Sequence, residues 1–262
     1  TFYLFAEWLS TRVADRLVTD SLAIQRYYLD RWRTPSTFVP YGAHVERPRD
    51  PEILRGYGLE PGSYFLVVGR LEPENNADVI VEAFRRLETD KRLVVVGGVN
   101  YRSAFVSRLR RRAGPRVTFL GPVYTPGHLR ELYCGAFAYV HGHEVGGTNP
   151  ALLQALGCGA CVLALDVPFN AEVVRDAGLL YPRDPDRLAE LMRRLLSDPE
   201  LVSRLREAAR RRAATAYRWG DVVQAYERVL RRAVAGEYRS VPAADSAYGA
   251  ADAVMGRGAL AP

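Results

Sequence analysis

The chain has 262 residues, 48% of them hydrophobic, and a formal net charge of +6. That length and composition can bury a sizeable core, which excludes a wholly disordered protein, and no apolar run approaches the roughly 18–20 residues that a membrane-spanning helix needs. All but one of the 36 basic residues are arginine, Lys91 being the exception; with abundant Ala, Gly and Leu, this skew reflects base composition rather than a nucleic-acid surface.

The N-terminal stretch TFYLFAEWLSTRVADR has neither a leading basic segment nor a small-residue cleavage site. No signal peptide is expected there, and without an initiator Met the chain is expected to begin in mid-protein. Residues 1–40 predict a helix, a short strand at RLVTD, a helix over SLAIQRYYLDRW and a strand at TFVPYG. The segment VERPRDPEILRGYGLEPG (45–62) is rich in Pro and charge and reads as a linker.

Six short apolar runs follow: YFLVVG (64–69), RLVVVGG (92–98), VTFLG (117–121), AFAYVHG (136–142), CVLAL (161–165) and GLLYP (178–182). They do not alternate with polar residues, as expected of parallel strands covered on both faces. Helices of crossover length lie between them. In DRLAELMRRLL, Leu188, Leu191, Met192, Leu195 and Leu196 form one apolar stripe. Asp198-Pro199 then supplies an N-cap and a first-turn proline. This order predicts an α/β fold with a doubly wound, Rossmann-like parallel sheet. Residues 236–262 lose all periodicity and predict a flexible tail. The resulting division is 1–40, the remnant of a preceding domain; 41–235, the α/β domain; and 236–262, the tail.

Cys134, Cys158 and Cys161 are too few for a disulfide framework. The C-x-x-C spacing of the last two straddles two apolar segments, so buried small hydrophobes in a reducing cytoplasm are expected. The cluster RLRRRAGPR (108–116) reads as a helix end and turn with a solvated face; an anionic membrane surface fits it better than DNA.

Arg70 follows VVG, ending in Gly69, at the edge of the sheet where strand C-termini gather ligands. Its guanidinium can grip phosphate oxygens bidentately. In HGHEVGGTNPALLQALG (141–157), Gly146 and Gly147 permit close backbone approach. Thr148, Asn149 and Pro150 then open a helix whose free N–H groups favour an anion. His141 and His143, at the spacing that puts two side chains on one face of a strand, invite a zinc reading with Glu144. No further ligand is near in sequence, so a histidine lining a ligand pocket is preferred and no metal is expected.

Taken in order, ADRLVTDSLAIQRYYLDRW with TFVPYGA, VVGRLEPEN before an EAF helix, FNAEVVRDAGLLYPRDPDRLAELMRRLL, and YRWGDVVQAYERVL resemble glycosyltransferase family 4. That family has the two-domain GT-B fold, and the likeness covers its C-terminal, donor-binding domain over about residues 12–235. PENN (73–76), DS (20–21) followed by IQRYY (24–28), YGA (41–43) and GGTNP-x-LL (146–153) are similar to a bacterial rhamnosyltransferase subfamily that uses dTDP-sugars.

The resemblance implies a retaining, metal-independent transfer without a cofactor, from a nucleotide-sugar donor. L-rhamnose would move from dTDP-rhamnose to a polysaccharide or lipid-linked acceptor held by an N-terminal domain. The setting would be cytoplasmic, at the inner face of the plasma membrane. Arg70 and Glu144 are the implied catalytic residues: Arg70 stabilises the departing pyrophosphate, and Glu144 contacts the sugar ring, because Gly146 stands where the family has its first glutamate. Asn75 replaces a family lysine, so Arg102 or helix-end amides must supply charge. Gln154 replaces the glutamate that holds the ribose. Gly121, Val123 and Tyr124 would pack near the base, while Gly69, His141, His143, Gly147, Thr148 and Asn149 complete the donor-binding set. The 262-residue chain alone is expected to bind donor without transferring sugar. Loss of both glutamates and the lysine also fits a non-catalytic sugar-nucleotide-binding module. An Arg-rich nucleic-acid binder lacks a motif, and a nucleotide-sugar epimerase lacks an acid/base set.

Overall fold

The computed structural model describes residues 2–238. The chain forms two compact units, one of Ala43–Ala214 and one of the segments before and after it.

The flanking unit begins with α1 (Phe2–Val13), β1 (Leu17–Thr19), α2 (Leu22–Trp32) and β2 (Ser36–Phe38). The four elements expected in residues 1–40 are all present, and β1 pairs with β2 in parallel. Ser21 caps α2 by accepting from the amides of Ala23 and Ile24 at 3.1 and 3.3 Å. The unit closes with α11 (Trp219–Val234), whose Val222 and Ala225 pack with Val39 and Val18. The tail expected over 236–262 lies outside the described residues beyond Tyr238.

The larger unit starts with α3 (Glu52–Gly56), β3 (Tyr64–Val68), α4 (Ala77–Arg85), β4 (Arg92–Val96), α5 (Ala104–Arg112) and β5 (Val117–Gly121). It continues through α6 (His128–Gly135), β6 (Ala138–His141), α7 (Pro150–Gly157), β7 (Val162–Leu165), α8 (Pro168–Val174), β8 (Gly178–Tyr181), α9 (Pro185–Ser197) and α10 (Pro199–Ala216). All six apolar runs become strands of one sheet, ordered β5-β4-β3-β6-β7-β8, with every neighbouring pair parallel. From β3 the chain winds outward through β4 and β5, returns to β6 beside β3, and winds out the other way. The strand order therefore reverses between β3 and β6, where a crevice opens at the strand C-termini.

Both faces of the sheet are covered, which is why the strands carry no polar alternation. Phe65, Leu93, Val95, Val140 and Leu163 share one core with Ile80 and Phe84 of α4 and with α9. Each such side chain contributes about 1.5–3 kcal/mol by leaving water. On α9, Leu188, Met192 and Leu195 are buried, and Leu191 and Leu196 pack at the margin. Asp198 caps α10 by accepting from the Leu201 amide at 2.9 Å. Cys158 and Cys161 are buried, Cys134 is half-buried, and all three are free thiols. Among the described residues no helix is long and apolar enough to cross a membrane.

The segment read as a linker over 45–62 differs from that expectation. It contains α3, and its first residues are bound to the sheet unit. The Glu46 amide donates to the Gly157 carbonyl at 3.0 Å, and the Arg49 amide donates to Glu131 Oε1 at 2.9 Å. Glu131 is fully buried; a buried carboxylate needs donors, and a passing backbone supplies one. Nothing in a Pro- and Arg-rich string announces a partner more than eighty residues away.

Candidate functional site

A cleft opens at the crevice between β3 and β6. It is lined by the strand ends Val67–Gly69 and Val140–Gly142, by Arg70, Asn75 and His143 of the following loops, and by Asn149 and Ala151 at the start of α7. Six residues singled out from sequence thus meet in one place: Gly69, Arg70, Asn75, His141, His143 and Asn149.

Two glycines let the backbones meet there. Gly97, after β4, has φ +119, and a Cβ on it would overlap the Gly69 carbonyl oxygen. The Gly69 amide donates to the Val96 carbonyl at 3.0 Å, so this approach holds the strand ends in step. A Cβ on Gly142 would overlap the Asn75 carbonyl in the same way.

The PENN segment forms a single 3-10 turn, Pro73–Asn75, and it zips onto the loop after β6. Asn75 Nδ2 donates to the Arg70 carbonyl at 2.7 Å, and Asn75 Oδ1 lies 2.5 Å from His143 Nδ1. Asn76, fully buried and left-handed at φ +51, donates through Nδ2 to the Gly142 carbonyl at 2.9 Å and to Glu144 Oε2 at 2.8 Å. Asparagine tolerates that backbone conformation better than other side-chain-bearing residues, and here it also has the reach to clamp the facing loop.

Asn149 caps α7 by accepting from the Ala151 amide at 2.9 Å, with Pro150 at the first helical position. The positive end of α7 therefore sits at the cleft beside Arg70. Arg70 is exposed, and among the described residues no acid forms an ion pair with its guanidinium.

The two histidines are held differently. His141 is 3% exposed, and its Nδ1 lies 2.9 Å from the Tyr139 hydroxyl. Its carbonyl accepts from the Tyr181 hydroxyl at 3.1 Å. Burial, with a smaller contribution from nearby His143, pushes the imidazole down to about 3. Burial also pushes the Tyr139 phenol far up, so phenol and imidazole meet as two neutral groups sharing one hydrogen bond. His143 is half-buried beside Phe169 of α8, with ring centroids 6.1 Å apart. Burial and then the Arg70 guanidinium lower it, while Glu74 and the Val145 carbonyl pull the other way. The Asn170 amide donates to its carbonyl at 2.9 Å.

A buried neutral His141 makes stability depend on pH. The folded value near 3 lies below the ordinary 6.5 of an unfolded chain, so between those values the unfolded state binds the extra proton. The contribution is complete above about pH 6.5 and is lost as pH falls toward 3, at up to about 1.4 kcal/mol per pH unit. Urea unfolding at pH 7 and pH 5 should differ by about 2 kcal/mol from this source. His141→Gln should flatten that difference; an unchanged pH slope in the variant would count against the assignment.

The remaining sequence candidates do not line this cleft. Glu144 is committed to Asn76 and, at 3.6 Å, to Arg183. Gly146 (φ +131), Gly147 and the buried Thr148 form the loop that leads from His143 to α7. Gln154 lies on α7, one helical turn beyond Ala151 on the same side, and is half-buried. Gly121 ends the edge strand β5 at φ +73, and its carbonyl accepts the Gly97 amide at 2.8 Å. Val123 and Tyr124 follow it, with Tyr124 89% exposed. Arg102 is exposed in the loop after β4. Among the described residues, no group of three or more His, Cys, Asp or Glu side chains is placed to hold a metal ion.

Asn76, Asn170, Tyr139 and Tyr181 were not singled out from sequence, yet they hold the site. Only Tyr139 leaves a local trace, since it stands two residues before His141 on the same face of β6.

Comparison with known proteins agrees with this architecture. Residues 51–212 match the family model "Glycosyl transferases group 1". The O-antigen chain mannosyltransferase B of Escherichia coli is 29% identical over 194 residues, 71% of this chain and 46% of that protein. The alpha-maltose-1-phosphate synthase of Mycobacterium tuberculosis is 28% identical over 205 residues, 71% of this chain and 52% of that one. The chain thus spans about half the length of these curated relatives. Among solved structures, the sucrose-phosphate synthase of Thermosynechococcus elongatus superposes with a TM-score of 0.76 at 23% identity, covering 89% of this chain and 62% of that one. Anabaena Alr3699/HepE, solved with UDP and glucose, gives a TM-score of 0.77 at 17% identity, covering 88% of this chain and 66% of that one. The likeness to these structures is one of fold, the α/β architecture with a parallel sheet found in GT-B glycosyltransferases. With a family model matched across most of the sheet unit, the chain belongs to the glycosyl transferases group 1 family.

Proposed function

We propose that this chain is the donor-binding half of a retaining, metal-independent hexosyltransferase, with a nucleotide diphosphate sugar seated in the cleft between β3 and β6. One observation carries the reading: Arg70 and the N-terminal end of α7 converge on one crevice at the point where strand order reverses. That combination suits a diphosphate, because a guanidinium and free helix amides both favour phosphate oxygens. Arg70 would also stabilise the charge that develops on the leaving diphosphate. Glu144 reaches the sugar only if it exchanges Asn76 and Arg183 for the ligand. Gln154 would meet the ribose, and Gly121, Val123 and Tyr124 the base.

For the donor itself, dTDP-L-rhamnose rests on a few short segments alone: PENN, DS followed by IQRYY, YGA and GGTNP. The relatives named above are a mannosyltransferase and a maltose-1-phosphate synthase, so the nucleotide panel must be broad. The acceptor, a polysaccharide or lipid-linked glycan, belongs to the half of the relatives' length that this chain does not span. A cytoplasmic setting at the membrane's inner face, with the arginines of α5 toward anionic lipid, completes the reading.

Thermal melting with dTDP, UDP, GDP and ADP at equal concentration tests it. A nucleotide at about 100 times its Kd adds roughly 2.7 kcal/mol, a rise of roughly 5–10 °C for a unit of this size. A shift with dTDP alone supports the rhamnosyl donor, and a shift with another base redirects the donor. A chain unmoved by all four would refute the site.

A further inference from the structure

The cleft holds one fixed cation for a ligand with two negative charges. Among its lining residues only Arg70 is permanently charged, and Asn75 is neutral. We propose that His143 is the second, proton-gated cation of the cleft. Its imidazole, oriented by Asn75, takes up a proton from solvent on Nε2 when the diphosphate of a nucleotide sugar enters beside Arg70. This rests on the donor-binding reading above and specifies how that site balances its charge.

The geometry sets each step. The Arg70 carbonyl can only accept, so the Asn75 group 2.7 Å from it is the amide nitrogen, which fixes the orientation of that side chain. The Asn75 oxygen therefore faces His143 Nδ1 at 2.5 Å, and Nδ1 must be the nitrogen that carries hydrogen. The lone pair is left on Nε2. Gly146 lies beside that atom, and a methyl group there would stand only 3.2 Å away. Glycine thus spares Nε2 a side chain on that side.

The groups around the ring decide when it charges. Arg70, from the loop after β3, opposes the proton, and Glu74 and the Val145 carbonyl favour it. His141 stays neutral, and the Phe169 ring from α8 adds only apolar surface. In the empty cleft, burial and Arg70 prevail and His143 is neutral. A diphosphate placed against Arg70 neutralises the chief opponent and adds its own attraction, which reverses the balance. His141 cannot serve in this role, since it is sealed from solvent and bound to Tyr139.

Proton uptake linked to binding makes affinity fall as pH rises, by up to tenfold per pH unit between the empty and the occupied values of His143. The probes are UDP-glucose, GDP-mannose, ADP-glucose and dTDP-glucose, whose diphosphate diesters have no titration of their own between pH 6 and 8.5. The chain has four histidines, so their ring signals can be followed by NMR and His143 identified with His143→Gln. Without ligand, His143 should titrate below the ordinary histidine range, and Arg70→Gln should raise it. With a bound probe it should titrate above that range. The Kd should weaken at least threefold from pH 6.5 to 8.5 in the wild type and stay level in His143→Gln. A probe that binds with one Kd across this range, or a slope that survives in the variant, overturns the proposal while leaving the donor site intact. If none of the four probes binds at any pH, the donor-binding reading fails and this proposal fails with it.

Discussion

Arg70→Gln is expected to weaken binding of the preferred nucleoside diphosphate roughly 10–100-fold while leaving the urea midpoint unchanged. A hydrogen bond to a charged group contributes about 1.5–3 kcal/mol, and its loss converts to that range of affinity. Stability should not move, because Arg70 is exposed and only its backbone carbonyl is tied into the loop network. Arg102→Gln is the paired control. Arg102 is exposed after β4, outside the lining of the cleft, so its substitution should cost less than threefold. Equal losses in the two variants would mean that general positive charge, rather than a grip at the β3 edge, attracts the ligand. Isothermal titration of both variants beside the wild type decides the matter.

The largest effect on folding should come from Gly97→Ala, at about 4 kcal/mol or more. At φ +119 an alanine carries backbone strain of about 1–3 kcal/mol. Its methyl would also overlap the Gly69 carbonyl, a backbone atom that cannot rotate away as a side chain can. Moving it would strain the bonds from the Gly69 amide to Val96 and from the Leu71 amide to Gly98. Gly58→Ala isolates the two costs. Gly58 also has positive φ, at +67, but no atom lies near its would-be Cβ, so only strain of about 1 kcal/mol applies. A loss in Gly97→Ala no greater than in Gly58→Ala would show that the strand ends yield easily. Since domains are stable by only about 5–15 kcal/mol, the alternative outcome is a chain that barely folds.

The contrast between those glycines explains what a sequence reader can and cannot find here. The six strands announce themselves because a strand covered on both faces must be apolar throughout, and six such runs ending in turn residues have few other readings. The stripe on α9 and the caps at Asp198 and Asn149 are equally local, each set within a few residues. The support of the site is of another kind. Asn75 and Asn76 act on residues 66 to 68 positions away, and an asparagine pair in a loop has no periodicity to betray it. Asn75 stands out only as the replacement of a family lysine; that its amide also bridges Arg70 and His143 shows in the folded chain alone. Asn170 and Tyr181 reach the site from α8 and β8, and nothing in their neighbourhood distinguishes them from ordinary packing. The adjacency of β3 and β6, on which everything else depends, follows from strand order, which periodicity alone leaves open.

The anchored run from His44 to Arg49 decides where this polypeptide can be cut and rejoined. A chimera spliced at Gly62, at the visible end of the Pro-rich stretch, would take Arg49 from one parent and Glu131 from another. The buried carboxylate would then keep Arg130 but would meet a foreign amide, or none. At Gly157 the carbonyl of His44 lies so close that a side chain could not be accommodated, so a donor segment of different path would jam against α7. Exchange of the sheet unit between relatives therefore calls for a seam ahead of Ala43, with the apparent tether carried along as part of the piece it clasps.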